Sequence, residues 1–141
     1  DKMFQKIIEA ANNELKNKKI SILGLSFKSE TDDIRDSISL DIIPRLISAN
    51  ANITVYDPAA MFEAKKVFKN KILYSKNVKK CLSGAHIAVI FTEWNEFRSL
   101  DPREMIKWMD GNTIIDFRNI YNKVNMSSTD INYISIGKKI K

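Results

Sequence analysis

The sequence is short of the residues on which specialised scaffolds depend. Its 141 residues hold one cysteine, one histidine, four glycines and three prolines. A lone cysteine cannot close an internal disulfide, and one histidine with one cysteine cannot ligate a structural zinc. So little glycine and proline excludes a fibrous or low-complexity chain. No apolar run reaches the roughly 18 residues that crossing a bilayer requires. Asp1-Lys2-Met3-Phe4-Gln5 is not followed by the continuous apolar stretch of a secretory leader, so the expected compartment is the cytoplasm. Repeats at solenoid spacing, a GxSxG elbow and a Walker A loop are also missing.

What is there is ordinary globular composition. Hydrophobic residues make up 44% and charged residues 28%, in a length typical of one domain. The net charge of +6 suggests an anionic partner. Its distribution argues against nucleic acid. Lys65, Lys66, Lys69 and Lys71, then Lys76, Lys79 and Lys80, then Lys138, Lys139 and Lys141 read as solvated helix faces and a chain end. Neither aromatic interleaving nor a nucleic-acid motif accompanies them.

Met3, Phe4, Ile7, Ile8, Ala11 and Leu15 have helical spacing, which predicts a helix over 3–17. No cap precedes Asp1, so the chain reads as opening partway along a longer helix. A strand over 20–25 follows. Ser37 is placed to cap a helix through Ile38, Leu40, Ile42, Ile43, Leu46 and Ile47, which Pro44 should kink or break. Further strands are expected over 52–56, 71–74, 86–91, 113–116 and 131–136, with helices over 60–68, 76–83 and 101–109. Thr92-Glu93-Trp94 opens a loop. This alternation predicts an α/β fold: a Rossmann-like, doubly wound parallel sheet with helices on both faces, in three α/β/α layers.

Ligands in such folds bind outside the carboxyl ends of the strands. That rule selects Gly24 to Lys28, Tyr56-Asp57, Thr92 to Trp94, and Asp116 to Arg118. Gly24-Leu25-Ser26-Phe27-Lys28 lacks the second and third glycines that let a dinucleotide pyrophosphate approach the backbone. Asp57 therefore reads as a turn residue, not a ribose-binding acid. Lys28 and Arg118 suit a diphosphate, one as a compact charge and one as a fork. On spacing alone, surface charges fit equally well. Phe27 could pack on a base or sugar. Arg35, among Asp32, Asp33 and Asp36, reads in isolation as an intraloop ion pair. Cys81 and His86 have no partner that would make them catalytic, and adjacent Asp32 and Asp33 are not an opposed acid/base pair.

Four ordered segments carry a family resemblance. Gly24-Leu25-Ser26-Phe27-Lys28 with Thr31-Asp32-Asp33-Ile34-Arg35-Asp36-Ser37 resembles the G-(L/F)-(A/S)-F-K-x-x-T-D-D-x-R-(E/D)-S segment of the UDP-glucose/GDP-mannose dehydrogenase family. Val55-Tyr56-Asp57-Pro58, Gly84-Ala85-His86 through Thr92-Glu93-Trp94-Asn95-Glu96-Phe97, and Asp116-Phe117-Arg118-Asn119 are similar to its later elements, with Phe117 replacing a small residue.

The resemblance implies that residues 1–18 end an interdomain connecting helix and 19–141 form a C-terminal UDP-binding domain. Phe27, Lys28 and Arg118 would bind the nucleotide-sugar. Arg35 would reach the NAD held mainly by another domain of the same polypeptide. The family oxidises the sugar's C6 alcohol to a carboxylate in two NAD-linked steps through a cysteine in a glycine-rich motif. This sequence lacks that motif, so it is expected to hold no catalytic residue and no metal, and to be inactive alone. The implied partners are a UDP-sugar and the NAD-binding and dimerisation domains, in a homodimer or larger homo-oligomer, with neither nucleic acid nor membrane. UDP-glucose is the first expectation for the donor. UDP-N-acetylhexosamine, GDP-mannose and a stand-alone nucleotide-binding module are the alternatives.

Overall fold

The computed structural model describes residues 2–121 and 130–135. Ile136, expected in the last strand, and the lysines at the chain end lie outside the described residues. Six strands form one sheet: β1 (Lys19–Leu23), β2 (Asn52–Tyr56), β3 (Leu73–Tyr74), β4 (Ile87–Ile90), β5 (Thr113–Asp116) and β6 (Asn132–Ser135). Their order is β3-β2-β1-β4-β5-β6, and every pairing is parallel. This is the doubly wound Rossmann order, and it reverses between β1 and β4.

Helices α1 (Lys2–Ala10), α2 (Ser39–Ser48) and α3 (Met61–Phe68) pack on one face of the sheet. Helices α4 (Val78–Leu82), α5 (Asn95–Arg98) and α6 (Pro102–Trp108) pack on the other. Strand residues alternate between the two layers. Ile20, Ile22, Val55 and Val89 join the first core cluster, whereas Leu23, Ala88, Ile90 and Ile114 join the second. Covered on both faces, β1 and β4 show the near-continuous apolar runs that made them legible.

The helix expected over 3–17 stops early. Asn12 takes a positive φ of 56°, its amide bonds the Glu9 carbonyl at 3.0 Å, and the Asn13 amide bonds the Ile8 carbonyl at 2.9 Å. That is a Schellman stop, and asparagine tolerates its left-handed residue. Ala11 and Leu15 are still buried, which explains the apolar spacing without a helix. Pro44 does not break α2, which runs through it. The ring sits on the helix's exposed side, where water can take the Leu40 carbonyl left without a donor. Ser37 does serve the start of α2, its hydroxyl accepting the Ser39 amide at 3.1 Å.

The turn after β1 is set by steric crowding. Gly24 has φ of 104°, and a Cβ there would lie 2.7 Å from the Thr92 backbone nitrogen. Only glycine satisfies both conditions. Gly24→Ala should therefore cost about 2 kcal/mol or more of stability, read as a lowered urea midpoint; an unchanged midpoint would show that the turn relaxes freely.

Candidate functional site

The site is built outward from a buried carboxylate at the end of β2. Asp57 is 1% exposed. Its Oδ2 accepts the Leu25 amide at 2.7 Å, the Ser26 amide at 2.9 Å and the Ser26 hydroxyl at 2.9 Å. Its Oδ1 accepts the Ala59 and Ala60 amides, each at 2.8 Å. A buried carboxylate is tolerated only with such compensation. From the far side, the Trp94 indole donates to the Ser26 hydroxyl at 3.1 Å, and the Thr92 hydroxyl donates to the Ser26 carbonyl at 3.2 Å.

Ser26 is thus gripped from β2 and from the loop after β4, and the next residues project outward. Phe27 is 47% exposed, and Lys28 is exposed with no carboxylate partner among the described residues. The Phe27 amide reaches the Asp33 carbonyl at 2.7 Å and closes the acidic loop.

These bonds also test whether the sheet could hold a dinucleotide itself. The amides of the first turn, which would cradle a pyrophosphate, are committed to Asp57. The turn does not fit NAD.

Arg118 follows β5. Its backbone amide donates to Asp116 Oδ1 at 2.9 Å, while Asp116 Oδ2 accepts the Tyr133 hydroxyl at 2.6 Å. The guanidinium donates from Nε at 2.8 Å and from Nη2 at 2.7 Å to one oxygen of Glu93. Burial alone would raise the Glu93 carboxyl. The Arg118 hydrogen bond, the Glu93 backbone amide and the charges of Arg118 and Arg98 outweigh it, so the group titrates below its ordinary value.

A pocket of about 190 Å³ collects Met3, Ser26, Phe27, Asp36, Ile38, Phe91, Phe117 and Arg118. Two of the residues proposed from the sequence, Phe27 and Arg118, meet there. Lys28 adjoins Phe27 but is not part of this lining. Arg35 is held by Asp33 through Nε at 3.0 Å and Nη2 at 2.8 Å, with its side chain 86% exposed. The Arg35 hydrogen bonds and charge hold the Asp33 carboxyl down to about 2. The bulk of Phe117 turns inward, where its ring stacks on Phe91 at 5.4 Å between centroids and 11° between planes. Asp36, Met3 and Phe91 were not singled out as ligand-site residues, and Glu93 was selected only as part of the Thr92-Glu93-Trp94 loop. For Glu93 the available signal was its place in the loop that follows β4.

Cys81 lies on α4 under the sheet. Burial pushes its thiol up to about 12 despite Lys19 nearby, so it is a poor nucleophile. Among the described residues, no three His, Cys, Asp or Glu side chains cluster as a metal site, and no helix is long and apolar enough to cross a membrane.

Residues 21–123 match the model of the UDP-glucose/GDP-mannose dehydrogenase family, UDP binding domain. The chain belongs to this family. A UDP-glucose 6-dehydrogenase of Rhizobium meliloti is 38% identical over 136 residues, covering 96% of this chain and 31% of the relative. The UDP-glucose 6-dehydrogenase YwqF of Bacillus subtilis is 32% identical, covering 94% of this chain and 31% of the relative. The chain thus spans about a third of the length of these family members. Among solved structures, a UDP-glucose dehydrogenase from Pyrobaculum islandicum superposes with a TM-score of 0.75 at 25% identity, covering 95% of this chain and 28% of that one. An NDP-N-acetyl-D-galactosaminuronic acid dehydrogenase from Methanosarcina mazei shares the fold with a TM-score of 0.80 at 21% identity, covering 98% of this chain and 28% of that one.

Two outcomes test this geometry. In Asp57→Asn, the new NH2 must face at least two amide donors whichever way it turns, so stability should fall by about 3 kcal/mol in urea unfolding. A loss below about 1 kcal/mol would remove Asp57 as the organiser of the turn. The Glu93 carboxyl, lowered in the folded state, should add stability that is complete above its unfolded pKa and lost as pH falls through the folded one. Carbon-detected NMR titration of Glu93 should therefore give a midpoint below the ordinary glutamate value of 4.5; a midpoint at or above it contradicts the Arg118 pairing.

Proposed function

We propose that this chain is the C-terminal UDP-sugar-binding domain of an NAD-dependent UDP-glucose 6-dehydrogenase. The observation that carries the reading is the convergence of Phe27 and Arg118 on one pocket at the carboxyl ends of β1 and β5, with Lys28 adjoining. Lys28 offers an unpaired ammonium to the diphosphate, Phe27 an exposed ring face to a base or sugar, and Arg118 a guanidinium already oriented by Glu93. UDP-glucose is favoured as donor because the curated relatives are UDP-glucose 6-dehydrogenases.

In the complete enzyme, the C6 alcohol would become a carboxylate while two NAD accept the hydrides. The nucleophilic cysteine and the NAD site would belong to the remainder of the polypeptide. Residues 1–18 would lead in from that remainder as a connecting segment, and Arg35 would exchange Asp33 for the cofactor's anionic groups. Its exposure makes that exchange accessible. The setting would be cytoplasmic polysaccharide biosynthesis by a homodimer or larger homo-oligomer.

Calorimetric titration of the 141-residue chain should detect UDP-glucose. Lys28→Ala and Arg118→Ala should each weaken binding about tenfold, the scale of one charge-assisted contact. With NAD and UDP-glucose together, absorbance at the reduced-nicotinamide band should not rise. No binding by the unaltered chain, or binding indifferent to both substitutions, sinks the proposal.

A further inference from the structure

The charge around the pocket is unevenly arranged. Among the described residues Arg118 is the only cation in its lining, and two of its side-chain nitrogens contact one oxygen of Glu93. These contacts use the Nε–Nη2 edge, so the other end of the guanidinium fork is not consumed. Asp36 is the carboxylate of the lining itself, whereas Glu93 holds Arg118 from outside it. Arg98 acts on Glu93 and Arg35 on Asp36 in turn, so among the described residues the pairing leaves no uncompensated positive charge on the lining. The remaining lining is Met3, Ser26, Ile38 and the aromatic rings, which is hostile to an anion and compatible with an uncharged ring bearing hydroxyl or imide groups. Lys28 lies just outside, exposed, with no carboxylate partner among the described residues.

We infer that Glu93 is a specificity-determining residue: it cancels the charge of Arg118 while leaving hydrogen-bond donors free, so that Arg118 serves uncharged oxygens of the nucleotide-sugar and the phosphate charge falls to Lys28. This rests on the donor-binding reading proposed above. Without Glu93, phosphate would compete for Arg118, and the pocket would lose its preference for the neutral part of the donor. The lowered titration of Glu93 keeps it charged through mildly acidic conditions.

Glu93→Gln isolates the charge, because the amide oxygen still accepts from Arg118 and preserves its orientation. Calorimetry with UDP and with inorganic pyrophosphate at low salt should show both binding about fivefold tighter to Glu93→Gln, the scale of one screened charge contact. The dependence on sodium chloride should also steepen. Lys28→Ala should flatten that dependence, whereas Arg118→Ala should weaken UDP binding and leave the salt dependence unchanged. The gain in Glu93→Gln should vanish when Arg118→Ala is added, which a general structural effect would not do. Asp36→Asn, at an exposed position whose left-handed backbone asparagine accepts, should shift pyrophosphate binding in the same direction and stands in if Glu93→Gln fails to fold. Equal or weaker binding of UDP and pyrophosphate in Glu93→Gln, with the unaltered chain binding UDP-glucose, overturns this inference alone. An unaltered chain that binds neither UDP nor UDP-glucose overturns the donor-binding reading and this inference with it.

Discussion

The carboxylate of Asp57 is the constraint on which the site depends. It lies within the fold and accepts hydrogen bonds from two turns: the one after β1 on one oxygen and the one after β2 on the other. Two neighbouring parallel strands are thereby tied at the same end, and the tie determines where Phe27 and Lys28 emerge. Trp94 and Thr92 complete the grip from the third strand end through Ser26. The projecting residues can then face solvent, because the residue before them is held by side chains from two other elements.

The same interaction explains how a sheet with dinucleotide-binding topology comes to serve a different ligand. In the nucleotide-binding version of this turn, backbone amides are left for a pyrophosphate and glycines keep side chains away. Here an acid of the protein has taken those amides, and a phenylalanine and a lysine occupy the space in front. On the proposed reading, recognition passes from backbone to side chains, which carry formal charge and can be balanced by neighbours. Arg118 is balanced by Glu93, Arg35 by Asp33, and Lys28 by neither.

Much of the architecture was legible because β1 and β4 are buried on both faces and cannot avoid continuous apolar runs. The features misread have local causes. Ala11 and Leu15 continue a helical spacing although the helix has ended, because a chain leaving a helix can still bury side chains in the same core. Pro44 looked like a break but lies on the exposed side of α2, which runs through it. The four residues of α5 (Asn95–Arg98) are too few to display a period. At the site, Phe27 and Arg118 were recoverable because both follow strand ends. The Arg118–Glu93 pairing was not, because charge balance depends on which side chains meet across the strand ends and no spacing in the sequence encodes that.

The hydroxyl of Tyr133, bonded to the same carboxylate that seats the Arg118 amide, bears on where this unit begins and ends. The family model matches residues 21–123, whereas Ile7, wholly inside the first core cluster, and β6, which completes the sheet, lie outside that stretch. The stretch that carries the family's signature is therefore shorter than the unit that folds around it. A recombination event that moved only the recognisable stretch into a new gene would leave behind a core residue from α1 and the strand that steadies the arginine turn. Such a transplant would keep the family's signature while losing part of the support that gives it shape.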